Sequence, residues 1–218
     1  MTKAIIFDMD GVLFDTERFF MDAWKIAGEN HGFNDIYDAC IASIGVNKET
    51  SKEIFKTTVS KDFPFDQIRD EVSSICHDLI ENTGITMKNG VLEILDFCKL
   101  NGFKIGLATS TRRQTVLSHL NKAKITDYFD EIVCGDEVKN SKPFPEIYTT
   151  ACQKLNVNPN EAFSIEDSFN GVKSSTSAGV RCIMVPDILS PTDEIKKLAF
   201  TIKNDLFEVI EFLKEKNQ

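Results

Sequence analysis

Four apolar residues near the start of the chain, Ala4-Ile5-Ile6-Phe7, run without interruption into Asp8-Met9-Asp10-Gly11. So short an unbroken apolar run describes a strand buried on both faces, the situation of a parallel sheet covered by helices. Gly11 then permits a backbone break, which suits a tight loop leaving the strand. Open α/β sheets take their ligands outside the carboxyl ends of their strands, so Asp8 and Asp10 stand where chemistry is expected. Taken alone, the pair also reads as a capped strand end followed by a polar turn.

The rest of the chain divides in two. From residue 16 to 88 nothing resembles a strand: Phe20, Ala23, Trp24 and Ala27 recur at helical spacing, and Ile68, Val72, Ile75 and Leu79 mark an amphipathic helix over Gln67–Ile80. Asp62-Phe63-Pro64 is expected as an internal loop. From residue 90 short apolar strands alternate with helices. Strands are predicted at 103–109, 131–134, 162–165, 180–185 and 199–202, with helices beginning near 91, 111, 145, 171 and 206. Gly102 closes the first of these helices, and Ser190-Pro191-Thr192-Asp193 fits a helix start with Ser190 as the capping hydroxyl. Such alternation means a doubly wound parallel sheet, an α/β fold of Rossmann-like type. The expected organisation is a core of residues 1–15 and 89–218 with a helical cap, 16–88, inserted after the first strand. That insert is expected to form a lid over the sheet's carboxyl edge, with hinges near Asp15-Thr16 and Lys88-Asn89-Gly90.

A length of 218 residues with 42% hydrophobic content supports a real core and a second small domain. The formal charge of −9 argues against a nucleic-acid or membrane-surface binder, so an anionic substrate must be drawn by local cations or a bound metal. Six scattered cysteines without a C-x-x-C pair are expected as reduced core residues. Cys76 and His77 are adjacent, and helical neighbours diverge by about 100° and do not chelate together. No apolar stretch nears the roughly 18 residues of a membrane span, and no leader precedes the first strand, so a soluble cytoplasmic protein is expected.

Three further groups fall at predicted strand ends. Thr109-Ser110-Thr111 precedes a helix, either as an anion site of hydroxyls and free N–H groups or as an ordinary helix cap. Lys142 stands before Pro143-Phe144-Pro145, and a residue preceding proline is pushed out of the α region. It either reaches inward from a stiffened loop or is a solvated surface lysine. Glu166 and Asp167 follow a buried strand and open a helix. Two acids beside two more are costly without a cation, and hard oxygen ligands suit Mg2+. A helix N-terminus tolerating acids is the plainer reading.

In order and spacing, these four pieces resemble the four motifs of the haloacid dehalogenase superfamily of phosphotransferases, and the resemblance covers essentially the whole chain. Glu166-Asp167-Ser168-x-x-Gly171-Val172 followed by Ala178-Gly179-Val180 is similar to the group containing β-phosphoglucomutase and small sugar-phosphate phosphatases, whose helical cap follows the first motif. The resemblance implies Asp8 as nucleophile and Asp10 as general acid and then base. It implies phosphate binding by Thr109, Lys142 and the N–H groups of Met9 and Ser110. Mg2+ would be held by Asp8, the Asp10 carbonyl and Asp167, with Glu166 close by or through water. The implied activity is a phosphatase for small phosphomonoesters, with a small phosphorylated metabolite as its partner and a monomer as its working form. A β-phosphoglucomutase-like phosphomutase is the alternative. Two departures bear on it: Phe20 stands where that enzyme carries a histidine, and Gly45-Val46-Asn47-Lys48 where its cap offers an arginine to a second phosphate. Lys48 is thus a candidate cap contact, or else a solvent-facing helix-start residue.

Overall fold

Each short apolar run of the core becomes a parallel strand. The computed structural model describes residues 2–44 and 48–216, apart from the side chains of His77 and Thr83. Gly45-Val46-Asn47 and the side chain of His77 therefore lie outside the described residues. After β1 (Ala4–Phe7) come α1 (Thr16–Asn30), α2 (Tyr37–Ala42), α3 (Lys48–Thr58) and α4 (Phe65–Thr83). Then α5 (Val91–Leu100), β2 (Lys104–Ala108), α6 (Arg113–Ala123), β3 (Glu131–Val133), α7 (Glu146–Lys154) and β4 (Ala162–Glu166) follow. The chain continues through α8 (Phe169–Ser177), β5 (Arg181–Met184), α9 (Asp193–Leu198), β6 (Thr201–Ile202) and α10 (Leu206–Lys216). Among the described residues no helix is long and apolar enough to cross a membrane.

The strands form one sheet in the order β3-β2-β1-β4-β5-β6, with every neighbouring pair parallel. The α/β doubly wound reading is therefore what the chain adopts. All four residues of β1 are fully buried, as expected of a central parallel strand with both faces covered. The winding runs from β1 outward to β2 and β3, then returns to place β4 on the other side of β1. That reversal opens a crevice at the carboxyl ends of β1 and β4, the switch point where such sheets bind ligands. Phe7 lies level with both Leu107 and Ile165, so the residues just beyond three strands emerge side by side. Beneath them Ile6, Ala108, Val133, Ile147, Tyr148, Ala151 and Leu155 pack in one apolar cluster. The six cysteines are buried thiols.

The chain separates into two compact units, residues 1–14 with 87–218, and residues 15–86. The second has its own core, in which Trp24 stacks on Phe55 at 4.4 Å and Phe55 meets Phe63 and Phe65. Where the chain passes between units, the Asp15 N–H donates to the Thr86 carbonyl and the Lys88 N–H to the Leu13 carbonyl, both at 2.9 Å. Phe14 and Met87 are paired antiparallel, and the Lys88 ammonium is ion-paired with Asp187.

Some details differ from the sequence reading. α9 is capped by Thr192, whose Oγ1 accepts from the Ile195 N–H at 3.3 Å, so Pro191 precedes the helix and Ser190 is not the cap. β4 runs one residue further than expected and includes Glu166.

The chain's one tryptophan, Trp24, reports on the 15–86 unit alone. Phe55→Ala is expected to lower the stability read by Trp24 fluorescence in urea by about 3–5 kcal/mol, the usual cost of emptying a buried aromatic position. A shift below about 1 kcal/mol would contradict the packing described, since that lies outside the range for such sites.

Candidate active site

Asp8 follows β1 directly and is 7% exposed. Its backbone N–H donates to the Ile165 carbonyl at 3.0 Å, which carries the β1–β4 pairing one residue beyond the strand. The loop then turns tightly: the Leu13 and Phe14 N–H groups donate to the carbonyl of the buried Met9, at 2.9 and 3.1 Å. Gly11 adopts φ +78°, and a Cβ placed on it would lie 2.1 Å from Asp167 Oδ2. A side chain at this position would push the acid after β4 out of its place, so the two loops interlock through glycine.

Lys142 reaches inward. Its side chain is 6% exposed, and its ammonium donates to Asp8 Oδ1 at 2.8 Å, to the Ala108 carbonyl at 3.0 Å and to Glu166 Oε1 at 2.6 Å. Three donors meet three acceptors, so the group is fully satisfied where burial would otherwise disfavour its charge. Burial pulls the ammonium down, but Asp8 and Glu166 more than offset it and hold Lys142 above the usual lysine range. For Asp8 the balance falls the other way. Burial pushes the carboxyl up, Lys142 pulls it down, Glu166 and Asp10 push it up again, and the result is about 8. One ammonium does not neutralise this pocket.

Glu166 ends β4 with no solvent exposure. Its Oε1 accepts from Lys142 and from the Tyr148 hydroxyl at 2.5 Å, and its Oε2 accepts from Ser168 Oγ at 3.2 Å. Behind it Gly171 is so close that a Cβ there would lie 1.9 Å from the carboxylate carbon. Asp167 is also buried, and Asp8, Glu166 and Asp167 bring carboxylate oxygens within 4.8 Å of one another. Asp8, Glu166 and Asp167 thus form a buried cluster of hard oxygen donors, with the Lys142 ammonium bonded to the first two. That is a donor set fitted to a small divalent cation.

Asp10 is half-buried and accepts from the Thr111 hydroxyl at 2.6 Å through Oδ2. The buried Thr109 extends β2 by donating its N–H to the Val133 carbonyl, and its hydroxyl accepts from the Thr111 N–H at 3.1 Å. Ser110 is exposed beside them, and Gly135 packs on its carbonyl so closely that a Cβ would come within 2.1 Å. Asp8, Lys142, Glu166 and Asp167 are thus brought into direct contact or close range, with Met9, Asp10, Thr109 and Ser110 on adjoining loops. Lys48 belongs to the 15–86 unit, opens α3 and pairs with Asp66 at 2.7 Å. The sequence reading missed Tyr148 and Ser168, the two hydroxyls that hold Glu166. Ser168 was detectable as a helix cap, and its Oγ does accept from the Gly171 N–H at 3.1 Å. Tyr148 offered no signal beyond an aromatic on the apolar face of α7.

Comparison with known proteins agrees with this geometry. A family model described as haloacid dehalogenase-like hydrolase matches residues 5–185. A phosphorylated carbohydrates phosphatase of Thermotoga maritima is 34% identical over 185 residues, covering 83% of each chain. Among solved structures, the β-phosphoglucomutase of Clostridium difficile superposes with a TM-score of 0.79 at 27% identity, covering 99% of this chain and 97% of its own. CbbY of Rhodobacter sphaeroides, solved in complex with phosphate, gives 0.77 at 25% identity and 96% coverage of both.

A helical glycine replaced by alanine ordinarily gains up to about 1 kcal/mol. At Gly171 the reverse is expected: Gly171→Ala drives a methyl into the Glu166 carboxylate and destabilises by about 1–3 kcal/mol in a urea titration. A neutral or stabilising outcome would mean that the backbone does not support Glu166 as described.

Proposed function

The chain belongs to the haloacid dehalogenase-like hydrolase family, and on that premise we propose that it is a Mg2+-dependent phosphatase hydrolysing small phosphomonoesters, sugar phosphates foremost, through an aspartyl-phosphate on Asp8. The observation that carries this reading is the buried Asp8–Lys142 contact beside the Asp167 carboxylate. A carboxylate attacks a phosphate dianion only where cations offset the repulsion, and here a nucleophile, an ammonium and a metal-binding acid share one crevice.

In this reading Asp8 attacks phosphorus, forming an acyl-phosphate bond as the ester P–O bond breaks. Asp10 gives its proton to the departing alkoxide, then takes one from the water that attacks phosphorus and releases Asp8. The Thr111 hydroxyl on Asp10 Oδ2 orients that group. Thr109, Lys142 and the N–H groups of Met9 and Ser110 hold the phosphoryl oxygens. Asp8, the Asp10 carbonyl and Asp167 would hold Mg2+, which would supply positive charge against the phosphoryl oxygens. Glu166, engaged by Lys142 and Tyr148, would stand close by the metal or meet it through water. Rate enhancements on phosphate monoesters reach about 10²¹, so positioning and charge compensation must supply most of the effect. The 15–86 unit is assigned substrate selection and water control. Six buried thiols suit a reducing cytoplasm, and the partner is a small phosphorylated metabolite met by a monomer.

Sugar phosphates are favoured because the Thermotoga relative is named for phosphorylated carbohydrates. A phosphomutase is the second reading, favoured by the likeness to β-phosphoglucomutase. Supplying β-glucose 1-phosphate separates them: free phosphate indicates hydrolysis, and glucose 6-phosphate indicates transfer.

Purified protein with Mg2+ is expected to release phosphate from a panel of sugar phosphates, to fall silent with a chelator and to recover when Mg2+ is restored. Indifference to chelation would remove the metal from the mechanism. Asp8→Asn is expected to abolish phosphate release while leaving the urea transition cooperative; persistent turnover would rule out the covalent intermediate.

A further inference from the structure

Tyr148 is fully buried, and its hydroxyl points at a carboxylate. A buried hydroxyl costs free energy unless it is bonded, so an apolar side chain would fill this helix face more simply. The site gives the hydroxyl a use. Glu166 Oε1 accepts from Tyr148 and Lys142 together, at 2.5 and 2.6 Å, while Ser168 holds Oε2 and Gly171 closes the space behind. The oxygen is therefore restrained on several sides, and it is one of two non-reacting acceptors that anchor the Lys142 ammonium. The other is the Ala108 carbonyl, and the third donor points at Asp8. The same ammonium lies 5.3 Å from the centroid of the Tyr148 ring.

We propose that Tyr148 is a positioning residue for phosphoryl transfer: by fixing Glu166 Oε1, its hydroxyl aims the Lys142 ammonium at Asp8. This rests on the phosphatase reading above. Tyr148 touches neither substrate nor nucleophile and acts through Glu166 and Lys142. Without the hydroxyl, the carboxylate can rotate and carry the ammonium away from Asp8, while a phenylalanine ring preserves the packing.

Tyr148→Phe tests this with p-nitrophenyl phosphate and Mg2+, a probe whose leaving group needs no proton. Loss of a hydrogen bond to a charged group predicts a fall in kcat of roughly tenfold. KM is expected to stay within about twofold, because the loss falls on the transition state rather than on ground-state binding. In a Lys142→Met background the same substitution is expected to change kcat by less than about twofold, since the two groups act as one unit. A second readout does not need turnover. The Lys142 ammonium resonance, assigned by its absence in Lys142→Met, is expected to exchange with water faster in Tyr148→Phe than in wild type. Unchanged kcat, an equal loss in both backgrounds, or an ammonium that keeps its wild-type exchange each overturns the proposal. If wild type hydrolyses no phosphomonoester, the phosphatase reading fails and the ammonium comparison alone decides whether Tyr148 positions Lys142.

Discussion

Burial of like charge is the constraint around which the core is arranged. Asp8, Glu166 and Asp167 turn carboxylate oxygens to within 4.8 Å of one another, and the Lys142 ammonium bonds to Asp8 and Glu166. Burial first, and then the charges of Glu166 and Asp10, raise the Asp8 carboxyl to about 8 against the pull of Lys142. The surrounding architecture can be understood as the means of enforcing it. β1 and β4 are adjacent because the winding reverses between them, and Lys142 arrives from the loop preceding α7. Gly11 and Gly171 lack the side chains that would push Asp167 and Glu166 out of place.

The two acids after Ile165 have different surroundings because the strand ends between them. Glu166 is within β4, paired level with Met184, and shares a strand face with Ser164 under α7 and α8. Asp167, one residue beyond, faces the loop after β1. A single step along the chain separates a carboxylate bonded to Lys142 and Tyr148 from one set against Gly11. This is a consequence of period-two alternation and needs no special loop.

Much of the core was readable from the chain because its strands are short, apolar and buried on both faces, and because polar residues follow β1, β2 and β4 directly. Asp8, Thr109 and Asp167 stand out for that reason. Glu166 was placed just outside its strand because acidic residues are depleted from strands, and only the ring of donors around it makes its burial tolerable. Tyr148 was invisible because an aromatic on an apolar helix face reads as packing, and its hydrogen bond spans 18 residues of sequence. The start of α9 was misplaced because hydroxyls flank Pro191 on both sides, and either satisfies the local rule for a cap.

The two crossings between units lie side by side, with Leu13 bonded to Lys88 and Asp15 to Thr86. The ends of a long excursion are thus already joined by the core's own backbone, so the entropy of closing it depends little on what lies between. Residues 15–86 can lengthen, shorten or be exchanged for another small fold without loosening the catalytic sheet. Such a change leaves the cluster of Asp8, Lys142, Glu166 and Asp167 untouched, since all four belong to the other unit.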